Sequence, residues 1–238
     1  MLFLLTGMRL CSILTVYFLE LRYTMGETNK KEAVAALHRA RIMTAAEKLF
    51  SEKGYEQTTI EDISKKSEYS RRTIYAYYES KDDILHRIIE KGLQALKTDI
   101  ENAVNDNAGF TDAYRAVCGA MRKYRREYPH SLERLSQSGD EEIGQTVKSD
   151  AVKNILRLGT EINETLEALI IRGQESGEVR KDIVPTLTVY VLWSSLDSLL
   201  ALAGTKGKFI CAQNGVTEEE FLDYGFRQIV NSILEVRI

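Results

Sequence analysis

Proline is scarce in this 238-residue sequence, and cysteine is both scarce and odd in number. Only Pro129 and Pro185 occur, so long stretches contain no helix breaker, which favours an all-α chain without strands. Cys11, Cys118 and Cys211 lie far apart and match neither a disulfide framework nor the spacing of metal ligands. We therefore expect no metal, no cofactor and a reducing, cytoplasmic location.

The motifs of common catalytic sites are also missing. His38, His86 and His130 share no motif, and no Ser/His/Asp pattern, HExxH or phosphate-binding loop occurs. An enzyme is therefore not expected. The net charge of −3 is small but uneven, because residues 33–81 carry nine Lys and Arg against seven acidic residues. The chain from residue 82 onward is acidic, with nineteen basic residues against twenty-five.

The first 24 residues are far more apolar than the rest. They lack the basic n-region and small-residue cleavage site of a signal peptide. Arg9, Glu20 and Arg22 make a stable membrane span doubtful on energetic grounds. Three interpretations stay open: translation from an upstream start with Met25 as the working start, a peripheral or membrane anchor, or an extra helix packed on the body.

From residue 33 the patterns predict one longer helix followed by two short ones. The stretch "RIMTAAEKLFSEKG" has a single apolar stripe and is closed by Gly54. In "QTTIEDISKKS" a threonine can cap a second helix, and Ser70 can cap a third that runs to about Tyr78. Two short helices joined by a tight turn and packed on a longer one form a helix-turn-helix.

The third helix offers a face for binding. At about 100° per residue, Ile74 and Tyr78 share the inward side and Tyr77 lies at its edge. Arg72 and Ala76 point most directly outward. Thr73 and Tyr75 flank them, and Arg71 projects from the exposed first turn. Arginine can bind the O6 and N7 of guanine, while threonine and tyrosine hydroxyls can reach phosphates. The pattern predicts a helix that reads the major groove of DNA.

The run from Arg41 to Leu85 resembles the DNA-binding domain of the TetR family of transcriptional regulators. "GY" follows helix one, "TTIEDI" opens helix two, "TIYAYY" lies in helix three and "SKDDIL" opens helix four, all in the order of that family. The remainder resembles the family in layout only. One departure is Glu68, which stands in the turn where the family commonly has a glycine suited to positive φ.

The resemblance implies a set of DNA contacts. It assigns Thr59 and Lys81 to phosphates, Arg71, Arg72 and Thr73 to base edges, and Tyr75 and Tyr77 to the backbone or a neighbouring base. The implied partner is double-stranded operator DNA, as an inverted repeat whose half-sites lie about 34 to 36 Å apart.

Beyond this region the sequence predicts a larger helical body, with about nine helices in the whole chain. A fourth helix from Ser80 is followed by a fifth, a short sixth beginning at Pro129 and a long seventh closed by Gly177. The eighth, Pro185 to Gly204, is apolar almost all round. The ninth opens with a capping box in "TEEE".

The last two helices carry more apolar surface than one core can cover, which predicts assembly. The residues expected at a homodimer interface are Leu192, Leu196, Leu199, Phe226, Ile229 and Ile233. The TetR resemblance implies the same homodimer.

Apolar bulk with a few polar tips also suggests a small-molecule site between helices. The candidate residues are Tyr114, Cys118, Met121, Tyr124, Tyr190 and Trp193. Aromatic and methionine residues at helical spacing are also ordinary core, and this alternative stays open. The effector itself cannot be identified from the sequence.

Three segments are expected: an N-terminal extension over residues 1–32, a helix-turn-helix DNA-binding domain over 33–96, and a ligand-binding and dimerisation domain over 97–238. The resemblance implies a homodimeric repressor that a small-molecule effector releases from its operator. The alternative is a membrane-tethered or purely protein-interacting helical protein without sequence-specific DNA binding.

Overall fold

A computed structural model describes residues 30–128 and 149–235, and these ranges contain eight α-helices and no β-strand. The helices are α1 over residues 30–53, α2 Ile60–Ser67, α3 Arg71–Tyr77, α4 Lys81–Asn105, α5 Phe110–Glu127, α6 Asp150–Ser176, α7 Pro185–Asn214 and α8 Glu218–Asn231. The all-helical prediction is therefore confirmed. The predicted short helix after Pro129 and the interpretations of residues 1–24 fall outside the described ranges.

The chain divides into two compact units, Met1–Lys81 and Asp82–Ile238. The first holds α1 to α3, and the second holds α5 to α8 with all of α4 except its first residue. This division falls earlier in α4 than the boundary expected after residue 96. The functional limits of the two domains stay a prediction.

The first unit is built around the apolar stripe of α1. Ile42 and Ala46 are fully buried, and so are Ile63 of α2 and Ile74 of α3. The stripe lies at i and i+4, the spacing that places side chains on one face of a helix. Gly54 ends α1 with φ at 84°, as expected for a glycine cap.

The two short helices begin at hydrogen-bonded caps. Thr59 accepts from the backbone N–H of Asp62, and the Asp62 carboxylate accepts from the backbone N–H of Thr59. Lys53 donates to the same carboxylate at 2.7 Å, and this bond together with those from Thr59 lowers the pKa of Asp62 far below its ordinary value. Ser70 caps α3 by accepting from the backbone N–H of Thr73. These caps satisfy N–H groups that a helix start leaves without partners.

In the second unit, α5 packs against α6, α7 and α8, while α7 packs against α6 and α8. The predicted end of α6 at Gly177 is confirmed, with φ at 76°. The predicted capping box that opens α8 is also confirmed, between Thr217 and Glu220.

The predicted end of α7 at Gly204 is wrong, because the helix continues to Asn214 and ends at Gly215 with φ at 64°. A glycine inside a helix costs only about 1 kcal/mol relative to alanine. Ala203, Gly207 and Cys211, spaced by four residues, are all buried. This packing continues past Gly204, so the helix does too. By length and composition alone, α7 could cross a membrane, because one 18-residue window of it has a mean hydropathy of 1.4, but an apolar helix of a soluble protein meets the same criterion.

The segment after α6 contacts the start of α5 and the chain that follows α8. The Glu178 carboxylate accepts from the backbone N–H of Phe110 at 3.0 Å, at the first residue of α5. Val179 forms an isolated antiparallel bridge with Leu234, near the end of the described chain. Gly173 lies beneath this segment, where an added Cβ would stand 2.6 Å from Val179 Cγ2 and 2.9 Å from Phe110 Cδ2.

We expect Gly173→Ala to lower the free energy of unfolding by about 1 to 3 kcal/mol, because the new methyl group overpacks this junction. Gly159→Ala on the same helix is the matched control, since nothing lies within 4 Å of its added Cβ. That control should stabilise the protein by up to about 1 kcal/mol. Urea unfolding of both variants decides the matter, and equal effects would contradict the tight packing at Gly173.

Candidate nucleic-acid interface and ligand cavity

The orientation of α3 is fixed by its buried side. Ile74 is fully buried, Tyr78 is nearly so, and the Tyr78 hydroxyl donates to the backbone carbonyl of Arg39 on α1 at 3.0 Å. The opposite side of the helix is therefore exposed, as the sequence predicted. Arg72 and Ala76 lie on that exposed side, and Tyr75 beside them is 55% exposed.

The two arginines of α3 differ in their surroundings. Arg71 Nε lies 3.4 Å from Glu61 Oε2, so an ion pair holds it at the start of the helix. The Arg72 guanidinium has neither a hydrogen bond nor an ion pair with any part of the chain that the structure describes. It is free to bind an external acceptor, and guanine bases and phosphates are the acceptors that a planar guanidinium fits best.

The hydroxyls of both predicted threonines take part in capping. The Thr59 hydroxyl donates to the Asp62 carboxylate at 2.6 Å, and the Thr73 hydroxyl lies 2.8 Å from that of Ser70. Thr59 is exposed at the start of α2 and Thr73 is half-buried at the first turn of α3. The sequence predicted capping by a threonine of "QTTIEDISKKS" and by Ser70, and the structure identifies that threonine as Thr59.

Tyr77 lies on the flank of α3 that is turned toward α1. Its hydroxyl is 2.9 Å from His38 Nδ1, and the two rings meet edge to face at 5.6 Å. The hydroxyl is thus engaged within the unit. The half-exposed ring of Tyr77 is the part that a ligand can contact. The sequence had instead suggested a contact through the hydroxyl.

Lys81 has a structural role that the sequence did not reveal. Its ammonium donates to the backbone carbonyls of Tyr55 and Thr58, both at 3.0 Å, and lies 4.0 Å from the centre of the Tyr55 ring. An ammonium has three donors, so one remains for a phosphate. Only the fold brings the loop after α1 to the first residue of α4, and no local pattern signals this contact.

The turn between α2 and α3 contains the left-handed residue expected at Glu68. Its φ is 63°, and it is the sole non-glycine residue with positive φ in the described ranges. The Glu68 carboxylate forms an ion pair with Arg41, whose guanidinium also lies 5.6 Å from the centre of the Tyr69 ring. A surface pair of this kind contributes at most about 1 kcal/mol. It offsets part of the strain of a side chain at positive φ.

In the second unit, α5, α6 and α7 enclose a small cavity of about 30 Å³. Three predicted ligand residues line it: Tyr114, Met121 and Trp193. The other lining residues were not predicted from the sequence as ligand residues; they are Phe110, Val117, Leu166, Leu169, Ile170, Val189, Leu192 and Leu196. Apolar residues of this kind look like any core, so no sequence signal distinguishes them.

The other three predicted ligand residues do not line this cavity. Cys118 and Tyr124 are buried elsewhere on α5, and Tyr190 is exposed on the far side of α7. Cys118 and Tyr190 are turned away by their angular positions on α5 and α7, whereas Tyr124 shares the angular position of Val117 but lies further along α5. Burial raises the pKa of the Cys118 thiol to about 12, so it stays neutral near pH 7 and is a weak nucleophile.

The Tyr114 hydroxyl and the charged side chains one turn beyond the cavity are already paired. The Tyr114 hydroxyl donates to the Phe226 carbonyl at 3.1 Å, and burial raises the pKa of this phenol above its ordinary value. Arg125 of α5 and Asp197 of α7 form an ion pair at 2.5 Å, one turn beyond Met121 and Trp193. These two residues are 72 positions apart in the chain, so no local sequence pattern signals the pair.

Several residues predicted at the dimer interface lie inside the single chain. Leu196, Phe226 and Ile233 are buried within the single chain, so they expose little surface for a partner to contact. Leu192 lines the cavity, and Leu199 packs against α8, with its Cδ2 at 2.4 Å from a Cβ built on Gly225. Ile229 is half-buried. The reason is that the residues on α7 and α8 occupy the side of each helix that packs within the unit, while Ile233 lies just after α8.

The opposite side of α7 is apolar and exposed. We call it the α7 outer face, defined by Leu187, Tyr190, Val191, Leu202 and Phe209. At about 100° per residue these five residues fall within about 120° of the helix circumference, directly opposite the buried residues. Leu187, Val191 and Phe209 are 63 to 64% exposed. A contiguous exposed apolar stripe is a candidate interaction surface.

No cluster of three or more His, Cys, Asp or Glu side chains that could hold a metal occurs within residues 30–128 and 149–235. Comparison with known families gives a match over residues 42–88 to the model of bacterial regulatory proteins of the tetR family. That segment contains α2, α3 and the buried stripe of α1.

Among curated proteins, the chain is similar to the biofilm operon icaADBC negative transcriptional regulator IcaR of Staphylococcus epidermidis. The two are 40% identical over 142 residues, which cover 60% of this chain and 72% of that protein.

Two solved structures share the fold. The TetR family transcriptional regulator PfmR from Thermus thermophilus is 25% identical, with a TM-score of 0.60 over 80% of this chain and 97% of that one. The regulator FadR from Bacillus subtilis, solved with stearoyl-CoA, is 18% identical with a TM-score of 0.60 over the same shares of the two chains. Together with the similarity to IcaR, these matches show that the chain belongs to the TetR family of DNA-binding transcriptional regulators.

Proposed function

We propose that the protein is a homodimeric repressor that binds an inverted-repeat operator and leaves it when an apolar effector enters the second unit. The observation that carries the DNA-binding part is the exposed side of α3, where Arg72 has no partner in the described chain. The similarity to IcaR, whose name describes a negative regulator, supports repression over activation. Acting on DNA in a bacterial cell, the protein works in the cytoplasm.

In this proposal the residues of the first unit divide into two groups. Arg72 reads a base edge, and Arg71 and Thr73 help at the first turn of α3, where side chains reach the groove floor. Thr59, Tyr75 and Tyr77 contact the backbone on either side of the groove. Two N–H groups of the Lys81 ammonium donate to backbone carbonyls, and the third contacts a phosphate.

The proposed partner surface for the homodimer is the α7 outer face of a second copy. Small side chains, Ser194, Ser198 and Thr205, lie along the middle of this face. They would allow two helices to approach closely, while Leu187 and Phe209 supply apolar area toward its two ends. An isologous pairing of this kind gives the two-fold symmetry that an inverted repeat requires.

The effector proposal rests on the cavity between α5, α6 and α7. Its lining is almost wholly apolar, so the effector needs an apolar body. The volume of about 30 Å³ is far below the roughly 300 Å³ of a typical ligand site. A ligand must therefore move these helices apart, and it favours the arrangement in which they are separated.

Polar contacts give such a movement a route to α4. Lys123 of α5 donates to Asp99 of α4 at 2.8 Å, and Asn154 of α6 donates to Glu90 of α4 at 2.6 Å. The helix is continuous from there back to Lys81, which binds backbone carbonyls of the first unit. Displacement of α5 or α6 thus pulls on a helix whose first residue is fixed to the DNA-binding unit.

We expect Arg72→Ala to fold normally but to lose roughly 1 to 3 kcal/mol of discrimination at one base position. The operator is first obtained by selection from a randomised duplex library with the wild-type protein. Binding is then measured across single-base variants of that operator. Arg115→Ala, an exposed arginine of the second unit, is the control. An unchanged base preference in Arg72→Ala would contradict the proposed reading role.

We expect Val191→Glu to produce a monomer with weakened operator binding and a nearly unchanged unfolding temperature in the monomeric range. The reason is that a charge on the exposed α7 outer face harms only a partner surface. Leu156→Glu, at an exposed leucine of α6, is the control. Sedimentation equilibrium measures the oligomeric state of the wild type and both variants. A wild-type protein that is monomeric at micromolar concentration would remove the basis of the dimer.

We expect an apolar effector to lower operator affinity by about 5- to 150-fold, and operator DNA to lower effector affinity by the same factor. A panel of metabolites with an apolar body, including the amphipathic long-chain acyl-CoA thioesters, is screened by operator release and then by calorimetry with and without DNA. Val117→Phe should bind operator but ignore the effector, because the ring fills the cavity. Cys118→Ala, outside the cavity, should respond like the wild type. Equal effector affinity with and without operator would exclude allosteric release.

A further inference from the structure

The arginines of the first unit are not equally available for DNA. Arg41 is paired with Glu68, and Arg71 is paired with Glu61. Two guanidinium groups, those of Arg39 and Arg72, make no ion pair and no hydrogen bond with the described parts of the chain. Arg72 lies on the exposed side of α3, as the sequence predicted. Arg39 lies on α1, outside every motif that the sequence analysis considered.

Three contacts hold this part of α1 to the end of α3. The Tyr78 hydroxyl donates to the Arg39 backbone carbonyl at 3.0 Å, and His38 Nδ1 lies 2.9 Å from the Tyr77 hydroxyl. The Arg39 guanidinium carbon lies 5.9 Å from the centre of the Tyr77 ring. Arg39 is thus fixed beside α3 by its backbone and by the ring, and any movement of α3 carries it along.

The position of Tyr77 on α3 shows where the Arg39 guanidinium lies relative to the side of α3 that faces DNA. At about 100° per residue, Tyr77 and Thr73 share one flank of α3, next to the side that carries Arg72 and Ala76. Arg39 extends that flank with a positive charge. It belongs to a different helix from the one that enters the groove, so the DNA groups within its reach are the phosphates along the groove edge.

We propose that Arg39 is a further DNA contact, one that binds a backbone phosphate beside the base pairs read by α3. Tyr77 then has a second task, because its ring supports the guanidinium while His38 holds its hydroxyl. The proposal rests on the DNA-binding function proposed above. It adds a phosphate contact from α1 that neither the motif nor the third helix supplies.

The test compares salt dependence of operator binding for the wild type, Arg39→Ala, Arg39→Lys and Lys48→Ala. Lys48 is the matched control, since it is an exposed cation on the opposite side of α1, about 180° away around the helix. The probe is the duplex operator selected from a randomised library, together with its single-base variants. Thermal unfolding of each variant establishes that it is folded.

Arg39→Ala is expected to weaken binding to all variants of the operator by about the same factor, roughly tenfold per half-site. The slope of log K against log salt concentration should become shallower by about one per half-site. Arg39→Lys should keep most of the affinity, because a phosphate accepts a point charge. Lys48→Ala should leave the slope close to that of the wild type.

Two results would overturn the inference alone. One is an Arg39→Ala protein whose binding and salt slope match those of Lys48→Ala. The other is a change of base preference in Arg39→Ala and Arg39→Lys, which would make Arg39 a base reader. A wild-type protein with no salt-dependent binding to duplex DNA would instead overturn the proposed function, and this inference with it.

Discussion

Burial of Ile74 and Tyr78 is the constraint on which the DNA-binding face depends. A helix of seven residues has little stability of its own, so α3 exists because its inward side is packed and its first turn is capped. The same packing decides which residues are left outside. Because Tyr78 also bonds to the Arg39 carbonyl, the orientation of α3 and the position of α1 beside it are set by one set of contacts.

Most charged side chains of the first unit form ion pairs with one another. Arg41 balances Glu68, Arg71 balances Glu61, and Lys53 holds the carboxylate that caps α2. Arg72 on the exposed side of α3 and Arg39 beside that helix have no such hydrogen bond or ion pair among the described residues, so both guanidinium groups remain available to phosphates or bases.

In the second unit the recurring constraint is that α7 has two apolar sides. Its inner side closes the cavity with α5 and α6 and packs on α8, while its outer face is left to a partner. One helix thus belongs both to the proposed effector site and to the proposed dimer surface. A ligand that separates α7 from its neighbours would also disturb the pairing of two chains, which gives a second physical route for coupling besides α4.

The sequence by itself determined the helical class, a threonine cap before α2, the caps at Ser70 and Thr217, and the exposed side of α3, while the left-handed turn at Glu68 was implied by the family resemblance. These features depend on spacing and on local hydrogen bonds, which the order of residues contains. Only the tertiary structure decided that Lys81 binds two carbonyls, that α7 continues past Gly204, and that Leu196 and Phe226 face inward. Those outcomes depend on which distant segments meet, and an apolar or charged residue looks the same in sequence whichever neighbour it finds.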